Sequence, residues 1–351
     1  MNRFDYVQPA TLDEAVAAAS EPGAAYLAAG TNLVDLMKTG AMRPDRLVDI
    51  TRLADLSAIE ELPDGGLRIG AMVRNSDLAH DPRLAGRFPM VAEALLSGAS
   101  AQLRNAATVG GNLVQRTRCP YFADPSNACN KREPGAGCDA KGGESRSHAV
   151  LGFSEACIAT NPSDFCVPLV ALDATVEIAG STGRREVALD EFHLLPGSTP
   201  ERETVLEPGD LVTAVRLPGE AAGYGARSRY VKLRDRTSYA FALVSVAAAL
   251  RIEDGRIADA RLALGGVAAK PWRARAAETV LKGAAPDPDA FAEAAEAALA
   301  EARPSGDNGF KIDLARRVVR RALAYAAVGS PSRVPALPGS VFASEGEFEH
   351  A

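Results

Sequence analysis

A strand-to-helix turn is indicated by Leu27-Ala28-Ala29-Gly30-Thr31-Asn32-Leu33. The apolar residues 24–28 favour a short buried strand, and residues 33–38 favour a helix. Small side chains at the turn allow a ligand to approach the backbone closely. Free N–H groups at the turn and at the start of the helix favour an anion such as a pyrophosphate. A tight connection with no ligand is the alternative.

Helices and strands alternate around this turn. Thr11-Leu12-Asp13-Glu14 has the form of a capping box, so a helix is predicted through residue 19. Strands are predicted at residues 47–50 and 67–73. A helix is predicted at residues 89–98, with Pro at its first turn and Gly at its end.

A second small-residue loop, Thr108-Val109-Gly110-Gly111-Asn112, follows this segment. Paired glycines can present backbone N–H groups, while Thr108 and Asn112 offer side-chain hydrogen bonds. A plain turn is the alternative, but two such loops suit the two phosphates of a dinucleotide better than either loop alone. Neither loop has the Gly-x-Gly-x-x-Gly form, so an ordinary Rossmann NAD site is not predicted.

The cysteines are confined to one part of the chain. They are Cys119, Cys129, Cys138, Cys157 and Cys166. No Cys-x-x-Cys pair occurs, which disfavours a zinc ribbon, whereas irregular spacing is compatible with an iron–sulfur cluster. The first four are candidate ligands, and the fifth has the apolar surroundings of an inert core cysteine. Free structural thiols are the alternative.

Residues 116–160, which hold the first four cysteines, show little hydrophobic periodicity. So long a stretch without regular structure is improbable inside a domain unless something fixes it, and cysteine ligation of a metal centre would do so. The four histidines form no pair with metal-ligand spacing. His148 lies in this stretch and could pack near the cysteines, but a surface position is expected for it.

Two further polar residues are candidates for cofactor contacts. Asn161-Pro162-Ser163-Asp164 leads into a predicted buried strand near residues 170–174, which would direct Asp164 towards a ribose or a ring. A capped turn is the alternative. Lys232 would bring a cation near a flavin ring or its ribityl chain, the alternative being a solvated strand lysine.

The composition argues against several classes of function. The 351 residues contain 39 Lys and Arg against 45 Asp and Glu, a net charge of −6. Binding to nucleic acid or to an anionic membrane needs concentrated positive charge, so neither is expected. No apolar stretch approaches the roughly 20 residues of a membrane helix, and the N-terminus has no apolar signal region. The sequence contains no Gly-x-Ser-x-Gly motif, so a hydrolase is not indicated.

A boundary between two patterns is predicted near residues 218–228, where Pro and Gly accumulate. Beyond it, strands are predicted at residues 240–252 and 257–264 around the turn Asp254-Gly255. Helices are predicted at three places, which are residues 272–282, 289–302 and 312–328.

These motifs together resemble the FAD-binding subunit of the xanthine dehydrogenase, or molybdenum hydroxylase, family. The resemblance covers residues from about 3 to 328. It is carried by the two small-residue loops, by Ser163-Asp164 and by Ala171-Leu172-Asp173-Ala174. Leu264-Gly265-Gly266-Val267-Ala268 and Lys270-Pro271-Trp272-Arg273-Ala274 look like the C-terminal domain of the same flavoproteins, which is related to the carbon monoxide dehydrogenase medium subunit.

The resemblance implies an α+β fold in two domains. Residues 1–222 would form a two-subdomain FAD-binding domain of the PCMH type, with an insertion at about 116–160. Residues 223–328 would form a domain of a three-stranded antiparallel sheet plus helices, followed by an extended tail at 329–351. The residues implied to contact FAD are Ala28, Ala29, Gly30, Thr31, Asn32, Leu33, Thr108, Gly111, Asn112, Asp164, Val212 and Lys232. Ala29 stands where the family often has glycine.

The insertion is similar to one in the FAD subunits of bacterial periplasmic aldehyde oxidoreductases and in 4-hydroxybenzoyl-CoA reductase. In those subunits it holds an additional [4Fe-4S] cluster. The resemblance therefore implies such a cluster here, and its implied ligands are Cys119, Cys129, Cys138 and Cys157.

The implied function is electron transfer within a molybdenum hydroxylase. A large partner subunit with the molybdenum cofactor would oxidise the substrate, a small partner would carry [2Fe-2S] clusters, and this chain would pass electrons from FAD to an external acceptor. No catalytic acid or base is expected here. The complex would be cytoplasmic, or periplasmic if exported folded on a partner's signal. The alternatives are a zinc-stapled scaffold or redox sensor, and a self-contained flavin oxidase.

Overall fold

Residues 1–331 are described by a computed structural model, in which they form three β-sheets surrounded by helices. The first sheet is parallel, in the order β1-β3-β2, and contains β1 (Asp5–Val7), β2 (Ala24–Leu27) and β3 (Arg46–Asp49). Helices α1 (Leu12–Ala19) and α2 (Leu33–Thr39) provide the crossovers that parallel strands require. Thr11 Oγ1 accepts a hydrogen bond from Glu14 N–H at 3.2 Å, so the predicted helix start is confirmed.

The second sheet is antiparallel and has the order β4-β5-β8-β6-β7. Its strands are β4 (Ile59–Glu61), β5 (Leu67–Gly70), β6 (Thr175–Gly180), β7 (Gly183–Ala188) and β8 (Leu211–Leu217). The helices between β5 and β6 are α3 (Asn75–Ala79), α4 (Pro82–Arg87), α5 (Pro89–Ser97), α6 (Ala101–Ala106), α7 (Val109–Leu113), α8 (Pro120–Ala123) and α9 (Cys166–Ala171), and α10 (Leu189–Phe192) follows β7. Ala54–Leu56 and Gly219–Arg227 are 3₁₀ turns.

The third sheet has the order β12-β11-β10-β9 and is antiparallel. Its strands are β9 (Ser228–Leu233), β10 (Val244–Glu253), β11 (Arg256–Gly265) and β12 (Trp272–Arg273). The helices that follow are α11 (Arg275–Leu281), α12 (Pro288–Ala298) and α13 (Phe310–Val328). The sheet thus has one strand more than expected, because Trp272 and Arg273 pair with Leu264 and Ala263 instead of starting a helix.

The third sheet is buried on both faces, and this joins the two halves of the molecule. In β10, alternate residues point to opposite sides of the sheet. Val244, Val246, Ala248 and Leu250 belong to the core formed with α11, α12 and α13. Ala247 and Ala249 belong to the core that includes β5, β6, β8, α5 and α9.

The segment after residue 165 differs from the sequence prediction. Cys166–Ala171 is a helix, and the strand begins only at Thr175. The helix is buried on all sides, so its apolar run shows no periodicity that would separate it from a strand. Pro168 is accommodated because it occupies the first turn, where its missing N–H needs no partner.

The predicted domain boundary near residue 222 stays a prediction. The predicted tail, residues 329–351, lies outside the described residues from 332 onward. No helix in residues 1–331 is long and apolar enough to cross a lipid bilayer.

Candidate functional site

A cavity of about 280 Å³ lies between the first and second sheets. Nine of the residues predicted to contact FAD line it. They are Ala28, Ala29, Gly30, Thr31, Asn32, Leu33, Thr108, Gly111 and Val212. The fold therefore brings the two small-residue loops together although some 75 residues of sequence separate them, and β8 adds Val212 as an apolar wall.

The first loop connects β2 to α2 with hydrogen-bond donors left free. The N–H groups of Thr31 and Asn32 have no partner within residues 1–331. Asn32 Oδ1 accepts from Arg116 N–H at 2.9 Å, while the buried Asn32 Nδ2 has no partner in that range. Unpartnered donors at the wall of a cavity are costly unless a ligand accepts from them, so this loop suits an oxygen-rich anionic group.

Gly30 is required by the geometry of this loop. Its φ of +73° lies in the left-handed region, and a Cβ there would stand 2.8 Å from Val34 Cγ2. Both the backbone conformation and the close approach of Val34 therefore disfavour a side chain at this position. Ala29 has no such constraint, because its φ is not positive.

The second loop corrects one expectation. Residues 109–113 form helix α7, and Thr108 caps it by accepting from Gly111 N–H at 3.2 Å. Gly110 N–H donates to Ala71 O at 2.8 Å. These N–H groups are therefore used within the protein. Gly110 instead allows α7 to pack closely against the segment that holds Ala71, since a Cβ on Gly110 would lie 2.9 Å from Ala71 Cβ.

One of the other three predicted FAD contacts lines a second, smaller cavity of about 120 Å³, and the other two are hydrogen-bonded to the turn that carries it. Asp164 lines this cavity together with Ser163. Ser163 Oγ donates to Asn112 Oδ1 at 2.8 Å, so Asn112 connects α7 to the Ser-Asp turn. Lys232 reaches the same turn from β9. The chain after α7 passes from one cavity to the other, because residues 114–116 line the larger cavity and residues 117–119 line the smaller one.

Asp164 is held by two partners from β9. Lys232 Nζ lies 2.7 Å from Asp164 Oδ2 and donates to Ser97 O at 3.1 Å. Tyr230 OH donates to Asp164 Oδ1 at 2.6 Å. Burial, and then the Asp164 charge, raise the pKa of Tyr230 well above its usual value. Lys232 is 4% exposed, so the alternative of a solvated lysine is wrong.

Sequence reasoning missed Tyr230, although a signal existed. Tyr230 and Lys232 are two residues apart in a strand, so their side chains leave the same face.

Arg118 was also missed. It lines the smaller cavity, its Nε is buried with no partner in residues 1–331, and burial lowers its pKa. The guanidinium lies 5.1 Å from the ring centroid of Phe241.

The cysteine-rich segment is folded by short turns rather than by regular elements. Cys129 and Cys138 face each other in an antiparallel bridge. Arg132 N–H donates to Cys129 O at 3.0 Å, and Lys141 N–H donates to Cys138 O at 3.1 Å, so each cysteine begins a similar turn. Cys119 directly precedes α8.

The four predicted ligand thiols form one group. Burial raises the pKa of Cys119 to about 11, and the nearby Cys129 and Cys157 act in the same direction. Burial also raises the pKa of Cys157, which has Cys138 as a further neighbour. Cys166 lies apart, fully buried in α9, where burial raises its pKa to about 12.

The group does not have the geometry of a single-ion site. Within residues 1–331, no three His, Cys, Asp or Glu side chains are placed to hold one metal ion. Four thiolates on one zinc lie about 3.8 Å apart, as follows from tetrahedral Zn–S bonds of about 2.3 Å. A four-iron cluster needs wider spacing, because each thiolate binds a different iron.

His148 is buried beside this group, so the expected surface position is wrong. It is 2% exposed, and its Nε2 lies 3.2 Å from Cys119 Sγ. Burial, and then the Lys311 charge, lower the pKa of His148. Lys311 Nζ donates to His148 O at 2.8 Å and to Gly266 O at 2.7 Å, which ties the cysteine-rich segment to the third sheet.

The chain matches two known families along its length. Residues 2–220 match the FAD binding domain in molybdopterin dehydrogenase. Residues 229–326 match the CO dehydrogenase flavoprotein C-terminal domain. Together these two matches account for nearly all of the chain before residue 327.

Individual relatives agree with these matches. The chain is 49% identical to the aldehyde oxidoreductase FAD-binding subunit PaoB of Escherichia coli (strain K12), over 93% of this chain and 99% of that protein. It is 29% identical to the carbon monoxide dehydrogenase medium chain of Hydrogenophaga pseudoflava, over 92% and 96%. A solved carbon monoxide dehydrogenase from that organism superposes with a TM-score of 0.73 at 30% identity, covering 93% of this chain and 98% of the other.

Proposed function

Because the chain belongs to the family of FAD-binding subunits of molybdenum hydroxylases, we propose that it is the electron-transfer subunit of an aldehyde oxidoreductase. A large partner with the molybdenum cofactor would oxidise the substrate. A small partner would bring the electrons through [2Fe-2S] clusters, and this chain would hand them to an external acceptor. The observation that carries the proposal is the cavity between the first two sheets, combined with 49% identity to an aldehyde oxidoreductase FAD subunit.

The residues around the large cavity fit the diphosphate and nucleoside part of FAD. The free N–H groups of Thr31 and Asn32 and the unpartnered Asn32 Nδ2 would donate to phosphate oxygens. Gly30 would let the phosphates approach the backbone, because it has no side chain and adopts a left-handed conformation that other residues rarely adopt. Val212 would pack against an apolar ring of the cofactor from β8.

The residues around the smaller cavity fit the flavin end. Asp164 and Lys232 would lie near the isoalloxazine, with Tyr230 holding the carboxylate in place. Arg118 adds a positive charge that has no carboxylate within hydrogen-bond distance among residues 1–331. Positive charge beside a flavin favours its reduced, more negative form. FAD supplies the redox chemistry, and the protein contributes position, charge and exclusion of water.

The cysteine-rich segment would hold a [4Fe-4S] cluster through Cys119, Cys129, Cys138 and Cys157. Two observations support this proposal. The four thiols lie close enough to influence one another, and Cys166 is separate from them.

Metal and flavin analysis of the purified full chain tests both cofactors. The proposal expects FAD together with about four iron and four acid-labile sulfide per chain. One zinc with no sulfide would favour the scaffold instead. Aldehyde turnover by the chain in the absence of partners would contradict the subunit assignment and favour a self-contained oxidase.

A further inference from the structure

An ion network lies between the large cavity and the cysteine-rich segment. Glu203 accepts from Arg116 Nε at 2.6 Å through Oε2, and its Oε1 lies 2.9 Å from Lys131 Nζ. Burial alone would raise the pKa of Glu203, but the two cations hold it below its usual range. The carboxylate therefore stays charged and binds both partners at once.

The Arg116 end of the network belongs to the large cavity. Arg116 lines that cavity, and its backbone N–H donates to Asn32 Oδ1 at 2.9 Å. This bond orients the Asn32 amide so that its unpartnered Nδ2 remains available. The guanidinium also stacks 4.5 Å from the ring centroid of Phe122 in α8. The position of Arg116 thus determines part of the cavity wall.

The Lys131 end belongs to the cysteine-rich segment. Lys131 follows Cys129 by two residues and is 5% exposed. Its Nζ also donates to Pro200 O at 2.8 Å. Arg116 Nη2 donates back to Lys131 O at 3.3 Å, which closes a ring of contacts through Glu203.

The cysteine-rich segment contains little regular secondary structure. Between residues 116 and 160 the only helix is the four-residue α8, and no strand is present. A segment with so little regular structure would gain part of its order from a metal bound by its cysteines, because metal binding and folding are coupled. Loss of a metal from the segment would therefore disturb the positions of Lys131 and Arg116.

We propose that Glu203 couples the FAD site to the cysteine-rich segment, so that metal binding in the segment strengthens FAD binding and the reverse. The inference rests on the proposed FAD and cluster sites and goes beyond them by assigning Glu203, Arg116 and Lys131 a positioning role. Coupling between two binding sites is reciprocal, and it typically changes affinity by about 5–150-fold.

The test compares FAD dissociation constants of the full chain with and without iron, measured anaerobically by flavin fluorescence. In the wild type, removal of iron is expected to weaken FAD binding by about tenfold. In Glu203→Gln, the ratio of the FAD dissociation constant without iron to that with iron is expected to fall close to one. Glu207→Gln is the matched control, because Glu207 pairs with Arg202 at 2.6 Å on the same segment but is 62% exposed. It should keep the wild-type ratio.

Two results would overturn the proposal: a wild-type ratio near one, or a full ratio retained in Glu203→Gln. Should Glu203→Gln fail to fold, Lys131→Met replaces it. This change cuts the network on the side of the segment and leaves the Arg116–Glu203 pair, and it should also lower the ratio. A wild-type chain that binds neither iron nor FAD contradicts the proposed function itself, which separates the two failures.

Discussion

Lys232 Nζ lies 2.7 Å from Asp164 Oδ2, and the two side chains are only 4% and 9% exposed. This ion pair joins β9 of the third sheet to the turn that precedes α9 in the FAD-binding part. Tyr230 supports it by donating to the other oxygen of the same carboxylate. The pair therefore has a structural role in joining the two halves of the molecule and a place beside the smaller cavity.

Replacing Lys232 by Met is expected to lower the free energy of unfolding by about 3–5 kcal/mol, because it leaves the Asp164 carboxylate buried without its counter-ion. Denaturant unfolding of the full chain measures the loss. Arg202→Gln, which breaks an exposed pair with Glu207, is the control and should change stability by less than about 0.5 kcal/mol. Equal effects of the two changes would show that burial of the pair has no energetic importance.

Gly30→Ala is expected to weaken FAD binding by about tenfold, the cost of disturbing one good hydrogen bond to a charged group. A Cβ at this position would displace Val34 and distort the loop. Gly255→Ala is the control, since Gly255 has a φ of +75° but no neighbour within 4 Å of its Cβ position. Fluorescence titration with FAD compares them, and a Gly30→Ala variant with wild-type affinity would exclude this loop from the site.

The stability of the fold is expected to be sensitive to acid because of His193. Its ring is buried, and this burial lowers the pKa of His193 to about 4. In the unfolded chain the ring takes up a proton near pH 6.5. The unfolded state therefore binds more protons between pH 6.5 and 4, and the contribution of His193 to stability is lost as the pH falls through this range.

His193→Gln removes this titration. In the wild type, His193 Nε2 lies 2.9 Å from Leu113 O, and the glutamine amide can still donate to that oxygen. Its unfolding free energy should fall less between pH 6.5 and 4 than that of the wild type. His80→Gln, at an exposed position, should follow the wild type. Identical curves for all three proteins would mean that His193 does not remain neutral in the fold.

Cys119→Ser is expected to abolish or degrade the proposed [4Fe-4S] cluster, whereas Cys166→Ser should leave it intact. The first thiol belongs to the group of four, and the second is buried in α9 away from that group. Low-temperature EPR of the reduced proteins and their iron content provide the measurement. An unchanged signal in Cys119→Ser would contradict the assignment of ligands.

Much of the fold was predictable because local signals agreed with it. The capping box at Thr11, the small-residue turn at residues 28–33 and the turn at Asp254-Gly255 each lie where the sequence indicated them. The segment 166–171 was not predictable, since it is buried on every side and shows neither a helical nor a strand period. The pairing of β12 was hidden because two residues are too few for a pattern.

The candidate site was predicted as a set of loops, but its connections were not. The use of Gly110 and Gly111 N–H groups within α7 depends on Ala71 and Thr108, and no pattern in the loop reveals that. The contact between Glu203 and the residues 116 and 131 spans more than 70 positions of sequence. Ion pairs between residues far apart in sequence leave no periodic signal. Tyr230 and Lys232, in contrast, are two positions apart in one strand, which is a spacing that the sequence shows.

The most direct test of the account is cofactor analysis of the full chain purified without oxygen. We predict one FAD per chain together with about four iron and four sulfide, giving a yellow-brown protein. A colourless protein that takes up neither flavin nor iron on reconstitution would contradict the account.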